Sequence, residues 1–349
     1  ACTSLGANTT GNRMDRITGS AQYNIDSQRF ENPEVISLQT GRNWTTILYE
    51  YFFNGKHRRP QQKLPEAPPA LSVLDEKAED IRFIWFGHST ILLELDGKRI
   101  LIDPMFSKYA SPIPGIAERF QPPVFDVDEL PEIDVVLISH DHYDHLDHKT
   151  IRQLKQRDLQ YIVPLGVGEH LEYWGIDPSR ITELDWWQDT TVDGLVFTCT
   201  PSQHFSGRGM FNRNSTLWAS WAIKGDEQNV FFSGDSGYSS HYKEIGDRLG
   251  PFDLTFLENG AYSPDWKFVH QLPEEGVQAH IDLKGKAMVP IHWGMFDLSL
   301  HAWHEPIDRV TVEAAKRGVK IVAPRLGELV SDADGYVQEE WWGPLINKA

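Results

Sequence analysis

Short apolar runs recur along the chain at strand length, each closed by a turn signal. Ile133-Asp134-Val135-Val136-Leu137-Ile138-Ser139 is β-branched and nearly continuous, the pattern of a strand buried on both faces. Ile81–Phe86, Ile91–Leu95 and Arg99–Ile102 read as successive strands, the last two joined by Asp96-Gly97, a dipeptide suited to a two-residue hairpin turn. Tyr161–Pro164, Val196–Thr200, Leu217–Ile223, Asn229–Ser233, Ala287–Ile291 and Lys320–Ala323 extend the series. Between them, His148–Arg157, His241–Leu249, Pro273–Asp282 and Ile307–Gly318 have helical spacing. Pro273 with Glu274 and Glu275 suits the positive end of a helix dipole, and Gly318 suits a helix C-terminus. No internal repeat is visible. Strands early and late with helices among them predict an α/β fold of two sheets packed face to face, with helices outside.

The first 80 residues have a different texture. Pro60, Pro65, Pro68 and Pro69 lead into the acidic stretch Asp75-Glu76-Lys77-Ala78-Glu79-Asp80. The expectation is an extension over residues 1–80 that wraps a main domain of residues 81–349, with one helix near Trp44–Phe53. Cys2 is followed by a polar, small-residue segment of linker type, Thr3 to Asn12. With no initiator Met ahead of it, this resembles a bacterial lipoprotein processed at a modified cysteine; an ordinary truncated terminus is the alternative. A lipidated Cys2 would tether the protein to a membrane surface in the bacterial envelope, facing the periplasm. Without lipidation the expected location is the cytoplasm.

The 349 residues are 40% apolar and include 17 Phe, 12 Trp and 11 Tyr, enough for a large core. No run of 18 or more apolar residues offers a membrane span. A net charge of −17 argues against a nucleic-acid surface. The one basic patch, Lys56-His57-Arg58-Arg59, reads as a solvated turn rather than a phosphate site. Two cysteines form no disulfide framework, and Cys199, inside a strand pattern, reads as a small buried hydrophobe. The aromatic content is compatible with a homodimer.

Candidate chemistry is concentrated at the end of one strand. Residues 140–148 read His-Asp-His-Tyr-Asp-His-Leu-Asp-His, directly after the Ile133–Ser139 run. Imidazoles and carboxylates are the donor set of Zn²⁺ and related divalent ions such as Mn²⁺ or Fe²⁺. Three more candidates stand just after short strands. They are His204 in Pro201-Ser202-Gln203-His204, Asp235 in Gly234-Asp235-Ser236-Gly237, and His292 after Met288-Val289-Pro290-Ile291.

These residues, with Trp85-Phe86-Gly87-His88-Ser89-Thr90, Ile102-Asp103-Pro104, Glu183-Leu184-Asp185-Trp186-Trp187, Gly260-Ala261-Tyr262 and Ile291-His292-Trp293-Gly294, resemble the metallo-β-lactamase superfamily. Within it the chain is most similar to the N-acyl-phosphatidylethanolamine-hydrolysing phospholipase D branch and its bacterial relatives. The likeness covers about residues 82–330, and Arg29-Phe30-Glu31-Asn32-Pro33 in the extension matches as well. It implies the αββα sandwich, two packed mixed sheets flanked by helices. It also implies a two-zinc centre: His140, His142 and His204 on one ion, Asp144, His145 and His292 on the other, and Asp235 between them. Two such ions would share one water and lower its pKa toward about 7. Asp103 is expected beneath the site, orienting a ligand histidine, and His88 as structural support. Asp141, Asp147 and His148 are left out of the ligand set, the last two starting the next helix.

The resemblance implies a phosphodiesterase of phospholipase D type, acting on N-acyl-phosphatidylethanolamine-like lipids through a metal-bridging hydroxide. Asp144 and His270 are the catalytic candidates, His270 as a substrate contact or else a cap of the following helix. Trp186, Trp187, Trp218, Trp221, Trp266 and Trp303 are candidates for a lipid-lining surface, with a core role as the alternative for each. The chain departs from the animal enzyme at Phe205 and at Glu258-Asn259, which puts head-group and acyl selectivity in doubt. A lactonase or sugar-phosphate hydrolase of the same fold, and a non-catalytic envelope lipoprotein, are the competing readings.

Overall fold

The computed structural model describes residues 3–34, 43–50, 57–209 and 211–346. Cys2, Lys56 and the far end of the expected Trp44–Phe53 helix lie outside the described residues. The N-terminal part carries α1 (Gly11–Thr18), a hairpin of β1 (Tyr23–Asn24) and β2 (Arg29–Phe30), and α2 (Trp44–Tyr49).

One seven-stranded sheet follows. Its strands are β3 (Arg82–Trp85), β4 (Ile91–Leu95), β5 (Lys98–Ile102), β6 (Val135–Leu137), β7 (Gln160–Pro164) and β8 (Ile181–Leu184). Helices α3 (His148–Leu154) and α4 (Gly168–Tyr173) connect its parallel half. The second sheet has β9 (Asp189–Val192), β10 (Leu195–Thr200), β11 (Ser220–Lys224) and β12 (Asn229–Phe232). After α5 (His241–Arg248) come β13 (Phe252–Glu258), α6 (Pro273–Asp282), β14 (Gly285–Ile291), α7 (Glu305–Arg317) and β15 (Lys320–Ile321). The chain then returns as β16 (Leu329–Val330) to the edge of the first sheet. The strand orders are β16-β3-β4-β5-β6-β7-β8 and β15-β14-β13-β12-β11-β10-β9. This is the metallo-β-lactamase αββα sandwich.

Alternation along the strands explains the continuous apolar runs. Phe83, Trp85, Val135 and Leu137 face the core between the sheets. Their neighbours Ile84, Phe86, Val136 and Ile138 pack into a second cluster with Leu146, Ile151 and Leu171. Strands buried on both faces need apolar residues at every position. Asp96 and Gly97 both adopt left-handed backbone, φ 48° and 68°, as a tight hairpin turn requires. Gly318 ends α7 in the left-handed conformation.

Some expectations shift. Leu217–Ala219 is not strand; Leu217 and Ala219 donate instead to the Leu165 and Ser139 carbonyls, stitching the two sheets together. The helix after the His cluster stops at Leu154. β8, β9 and β13 were not foreseen, since their polar residues mask the strand pattern; β13 contains Asp253 and Thr255 inside an otherwise apolar run. Of the basic patch, His57 and Arg59 are exposed on a bend and Arg58 is half-buried. Arg58 pairs with Asp297 at 3.4 Å, and Arg59 donates to the Glu118 and Arg119 carbonyls. Cys199 is buried with a free thiol.

Candidate metal centre

β3, β5, β6, β10, β12, β13 and β14 all end at the same edge of the sandwich, because antiparallel steps come in pairs between them. Each C-terminal end delivers at least one polar residue to the seam between the sheets. β3 supplies His88, β5 Asp103, β10 His204, β12 Asp235, β13 Glu258 and β14 His292, while the loop after β6 supplies His140, His142, Asp144 and His145. Several of these positions are backbone-strained. His88, Asp103 and His292 have φ of 55°, 41° and 64°, which for non-glycine residues costs on the order of 1 kcal/mol each and clusters at functional sites. His88 and His292 are tied to each other's loops, with His292 N–H donating to the His88 carbonyl at 2.8 Å.

Two groups of donor atoms converge. His140 Nε2, His142 Nδ1, His204 Nε2 and an Asp235 oxygen form one. His140 Nε2 and His204 Nε2 lie 2.9 and 3.2 Å from His142 Nδ1, and 3.8 and 3.7 Å from Asp235 Oδ2. The second contains Asp144, His145, His292 and also His88. There Asp144 Oδ2 is 2.9 Å from His88 Nε2 and 3.4 Å from both His145 Nε2 and His292 Nε2. Asp235 reaches this group too, at 3.2 Å from His145 Nε2 and 3.1 Å from His292 Nε2.

Divalent ions fit these atoms. Donors about 2.0–2.2 Å from one tetrahedral ion stand about 3.3–3.5 Å apart, and the separations here bracket that value. His145 Nε2, His292 Nε2 and Asp235 Oδ1 are buried and make no hydrogen bond among the described residues. Buried polar atoms are otherwise almost always paired, so a cation is the partner that this set of lone pairs lacks.

The surrounding carboxylates set the electrostatics. Burial lowers the His145 imidazole, but Asp235, Asp144 and Asp103 outweigh it and hold the ring well above its ordinary value. Burial opposes ionisation of Asp235, yet His145 and His292 keep it well below the usual carboxylate range. Asp103 accepts from Ser139 N–H at 2.7 Å and faces His145 Nδ1 at 2.7 Å. Asp141 turns away from the centre, toward His170 at 3.3 Å and the Gly207 N–H at 2.7 Å. Asp147 accepts from Lys149 N–H and Thr150 N–H at the start of α3, where His148 is the first residue.

The centre opens into a cavity of about 280 Å³ lined by His142, Asp144, Phe205, Arg213, Trp266, Val269, His270 and Leu298, among others. Of the six tryptophans considered for a lipid surface, only Trp266 lines this cavity. Trp186, Trp218, Trp221 and Trp303 are buried in the core, and Trp187 packs under Arg248. His270 lies between the rings of His204 and His292, and burial lowers it to about 4. Its Nδ1 meets Glu258, a buried residue that stands out in the sequence only as a departure from the animal enzyme. A polar residue closing an apolar run, as in the other site strands, was the available signal. A second unforeseen partner is Asn32, whose side chain binds the backbone of His204.

Known proteins resemble the chain in sequence and in fold. A family model described as "Beta-lactamase superfamily domain" matches residues 98–293, more than half of the chain. An uncharacterized protein of Mycobacterium tuberculosis is 43% identical over 301 residues, 85% of this chain and 80% of that protein. The Caenorhabditis elegans protein named N-acyl-phosphatidylethanolamine-hydrolyzing phospholipase D 1 is 31% identical over 307 residues, 80% of this chain and 85% of that protein. Among solved structures, Igni18, a metallo hydrolase from the archaeon Ignicoccus hospitalis, matches with a TM-score of 0.56 at 21% identity. That match covers 72% of this chain and 97% of the other and speaks for the fold alone.

Proposed function

The chain belongs to the beta-lactamase superfamily as a metal-dependent hydrolase, and from that premise we propose a phosphodiesterase of phospholipase D type acting on N-acyl-phosphatidylethanolamine-like lipids. The observation that carries the proposal is the pair of converging donor groups, joined by Asp235 and opening onto the cavity. The 31% identity to the nematode protein, across most of both chains, supports the lipid class.

His140, His142 and His204 would hold one zinc ion, Asp144, His145 and His292 the other, with Asp235 serving both. Bound there, two divalent cations supply Lewis acidity and a water acidic enough to act as nucleophile near neutral pH. Asp103 keeps His145 turned inward through its Nδ1 contact. His270 lines the cavity beside both groups, where an unprotonated Nε2 would accept a hydrogen bond from the substrate's head-group amide N–H or from water. Arg213, also on the cavity wall, adds a positive charge for the same anion. Phe205, Trp266, Val269 and Leu298 cover the apolar part of the substrate and exclude water.

In the net reaction, water oxygen bonds to phosphorus, the bond from phosphorus to the head-group oxygen breaks, and the head-group alcohol takes up a proton. The products are a phosphatidate and an N-acylethanolamine. A cavity of about 280 Å³ is at the small end for organic ligands. It takes the phosphodiester, the head group and the first methylenes beside them, and it leaves the rest of the acyl chains outside. Phe211, two residues from Arg213, is 95% exposed and offers such chains an apolar contact. Tethering at a membrane surface through a lipidated Cys2 belongs to the same reading; no described helix is long and apolar enough to cross a membrane.

The test is metal analysis combined with a substrate panel of bis(p-nitrophenyl) phosphate, vesicles of N-acyl-phosphatidylethanolamine, and lactones. Two zinc ions per chain with phosphatidate release is the expected result. Lactone turnover without phosphodiester cleavage would overturn the proposal.

A further inference from the structure

Glu258, the last residue of β13, is fully buried and touches three segments of the site at once. Its Oε1 meets His270 Nδ1 in a short hydrogen bond and lies 3.8 Å from His292 Nδ1. Its Oε2 accepts from the Ser236 N–H at 2.7 Å, one residue beyond Asp235. The Glu258 carbonyl accepts from Gln271 Nε2 at 2.9 Å, one residue beyond His270. Its own N–H donates to Ser233 Oγ at 2.9 Å. The loops bearing Asp235, His270 and His292 are therefore all held against this one residue.

We propose that Glu258 is a positioning residue that acts through His270, fixing the ring with Nδ1–H donated to the carboxylate and Nε2 presented to the cavity. This rests on the hydrolase site proposed above and assigns the group that aims its substrate-contacting histidine.

Without such a partner an imidazole is not fixed in orientation or tautomer. A ring on a loop has two tautomers and a free torsion, and the hydrogen bond made by one nitrogen decides what the other can do. Here the ring is largely buried, so an unpaired Nδ1–H would cost the desolvation of a polar group. An ionised Glu258, which can only accept, removes that cost in one orientation only. Asp103 shows the same device on the opposite sheet, where its carboxylate faces His145 Nδ1 and leaves Nε2 toward the proposed ions. The two sheets thus each place one buried carboxylate under an imidazole. They differ in destination, since His145 Nε2 points among the converging donors and His270 lines the cavity.

Glu258 is also close enough to His292 to link the two rings. Asp235, Glu258, His270 and His292 themselves bring donor atoms within 4.8 Å of one another, so a directly ligating role for Glu258 and His270 is the rival reading. It predicts loss of metal when either is removed, and the positioning role does not.

The experiment uses the full chain, with zinc content and bis(p-nitrophenyl) phosphate kinetics measured for Glu258→Ala, Glu258→Gln, His270→Ala and the double variants. The expected result is a fall of about 10–100-fold in kcat for Glu258→Ala and for His270→Ala, with metal content unchanged. The double variant should be no slower than His270→Ala alone, because a group that acts through His270 has nothing left to act on. Glu258→Gln, whose amide oxygen can still accept from Nδ1–H, should retain part of the rate. Its cycle with His270→Ala replaces the alanine cycle if Glu258→Ala does not fold.

Multiplying losses in the cycle, or metal loss in the Glu258 variants, would overturn the proposal. Nitrogen-15 signals of the His270 ring read the same point without turnover. A fixed Nδ1–H tautomer is expected in the parent protein and a mixture in Glu258→Ala, while a mixture in the parent would overturn it. An inactive parent with a fixed tautomer would count against the phosphodiesterase reading and leave the positioning of His270 by Glu258 standing.

Discussion

Asn32 grips the backbone of His204 at both ends. Its Nδ2 donates to the His204 carbonyl at 2.8 Å, and its Oδ1 accepts from the His204 N–H at 3.1 Å. The same oxygen accepts from Trp218 Nε1 at 3.2 Å. Asn214, near the cavity, accepts from the Phe30 N–H and donates to the Phe30 carbonyl at 2.9 and 3.1 Å. The Arg29–Pro33 motif thus reaches across the chain to the candidate site. Asn32→Ala would leave the backbone groups of His204 unpaired, at about 1–3 kcal/mol for a buried group. The expected outcome is a lower melting temperature together with loss of metal from the His140, His142 and His204 group, read by metal analysis. Unchanged metal content in a destabilised variant would restrict Asn32 to folding.

Removing the cations should destabilise the protein as well as inactivate it. Six imidazoles and two carboxylates converge in a buried volume, and a ligand that binds only the folded state adds to its stability. A chelator should lower the melting temperature, and zinc should restore it at two equivalents per chain. Asp235→Ala is expected to weaken both groups, because Asp235 stands 3.1–3.8 Å from donors of each. Full retention of two ions in that variant would contradict the shared role.

Asp103→Ala removes the Nδ1 partner of His145. A partner of this kind is worth about 10–100-fold in metal affinity or activity. The loss should appear as faster metal transfer to a competing chelator. Asp103→Asn should fall between the two, since its amide oxygen can still accept from Nδ1–H.

Trp266 and Trp221 separate substrate contact from core packing. Trp266 lines the cavity, so Trp266→Ala should raise KM for lipid vesicles more than for bis(p-nitrophenyl) phosphate. Trp221 is fully buried between the sheets and donates to the Ile138 carbonyl at 3.0 Å. Trp221→Ala should cost about 3–5 kcal/mol of stability, measured by denaturant unfolding. Equal KM changes on both substrates for Trp266→Ala would remove it from the lipid contact.

His280 on α6 gives a pH signature away from the centre. Burial lowers it to about 4 from the ordinary 6.5, and its Nδ1 pairs with Thr255 Oγ1 at 2.8 Å. Between those values the unfolded chain binds a proton there and the folded chain does not. Stability therefore rises with pH through this window and falls on acidification, by up to about 1.4 kcal/mol per pH unit from this group. His280→Gln should flatten that part of the stability profile measured by denaturant unfolding at several pH values.

The residues carried within one short stretch were legible without the fold. His140, His142, Asp144 and His145 follow a single buried strand, and their spacing is local, so periodicity and residue type suffice to pick them out. His204, Asp235 and His292 were legible as polar residues closing short apolar runs. Glu258 closes such a run too, but Asp253 and Thr255 interrupt its pattern, and the strand went unrecognised. Among the six tryptophans, strand propensity could not distinguish a cavity wall from a core, because both are apolar surroundings.

By itself, the sequence determined the two-layered α/β architecture and the donor-rich loop, since both follow from the spacing of residues along one segment. Tertiary structure alone decided that His88 joins the second group of donors. It also decided that Asn32 and Glu258 hold imidazole-bearing residues in place, and that Trp266 is the one of the six tryptophans that lines the cavity. These are hydrogen bonds and contacts between segments as far apart as residues 32 and 204, made where strand ends from two sheets meet. Their partners are chosen by the packing of the sheets, which no local pattern of residues encodes.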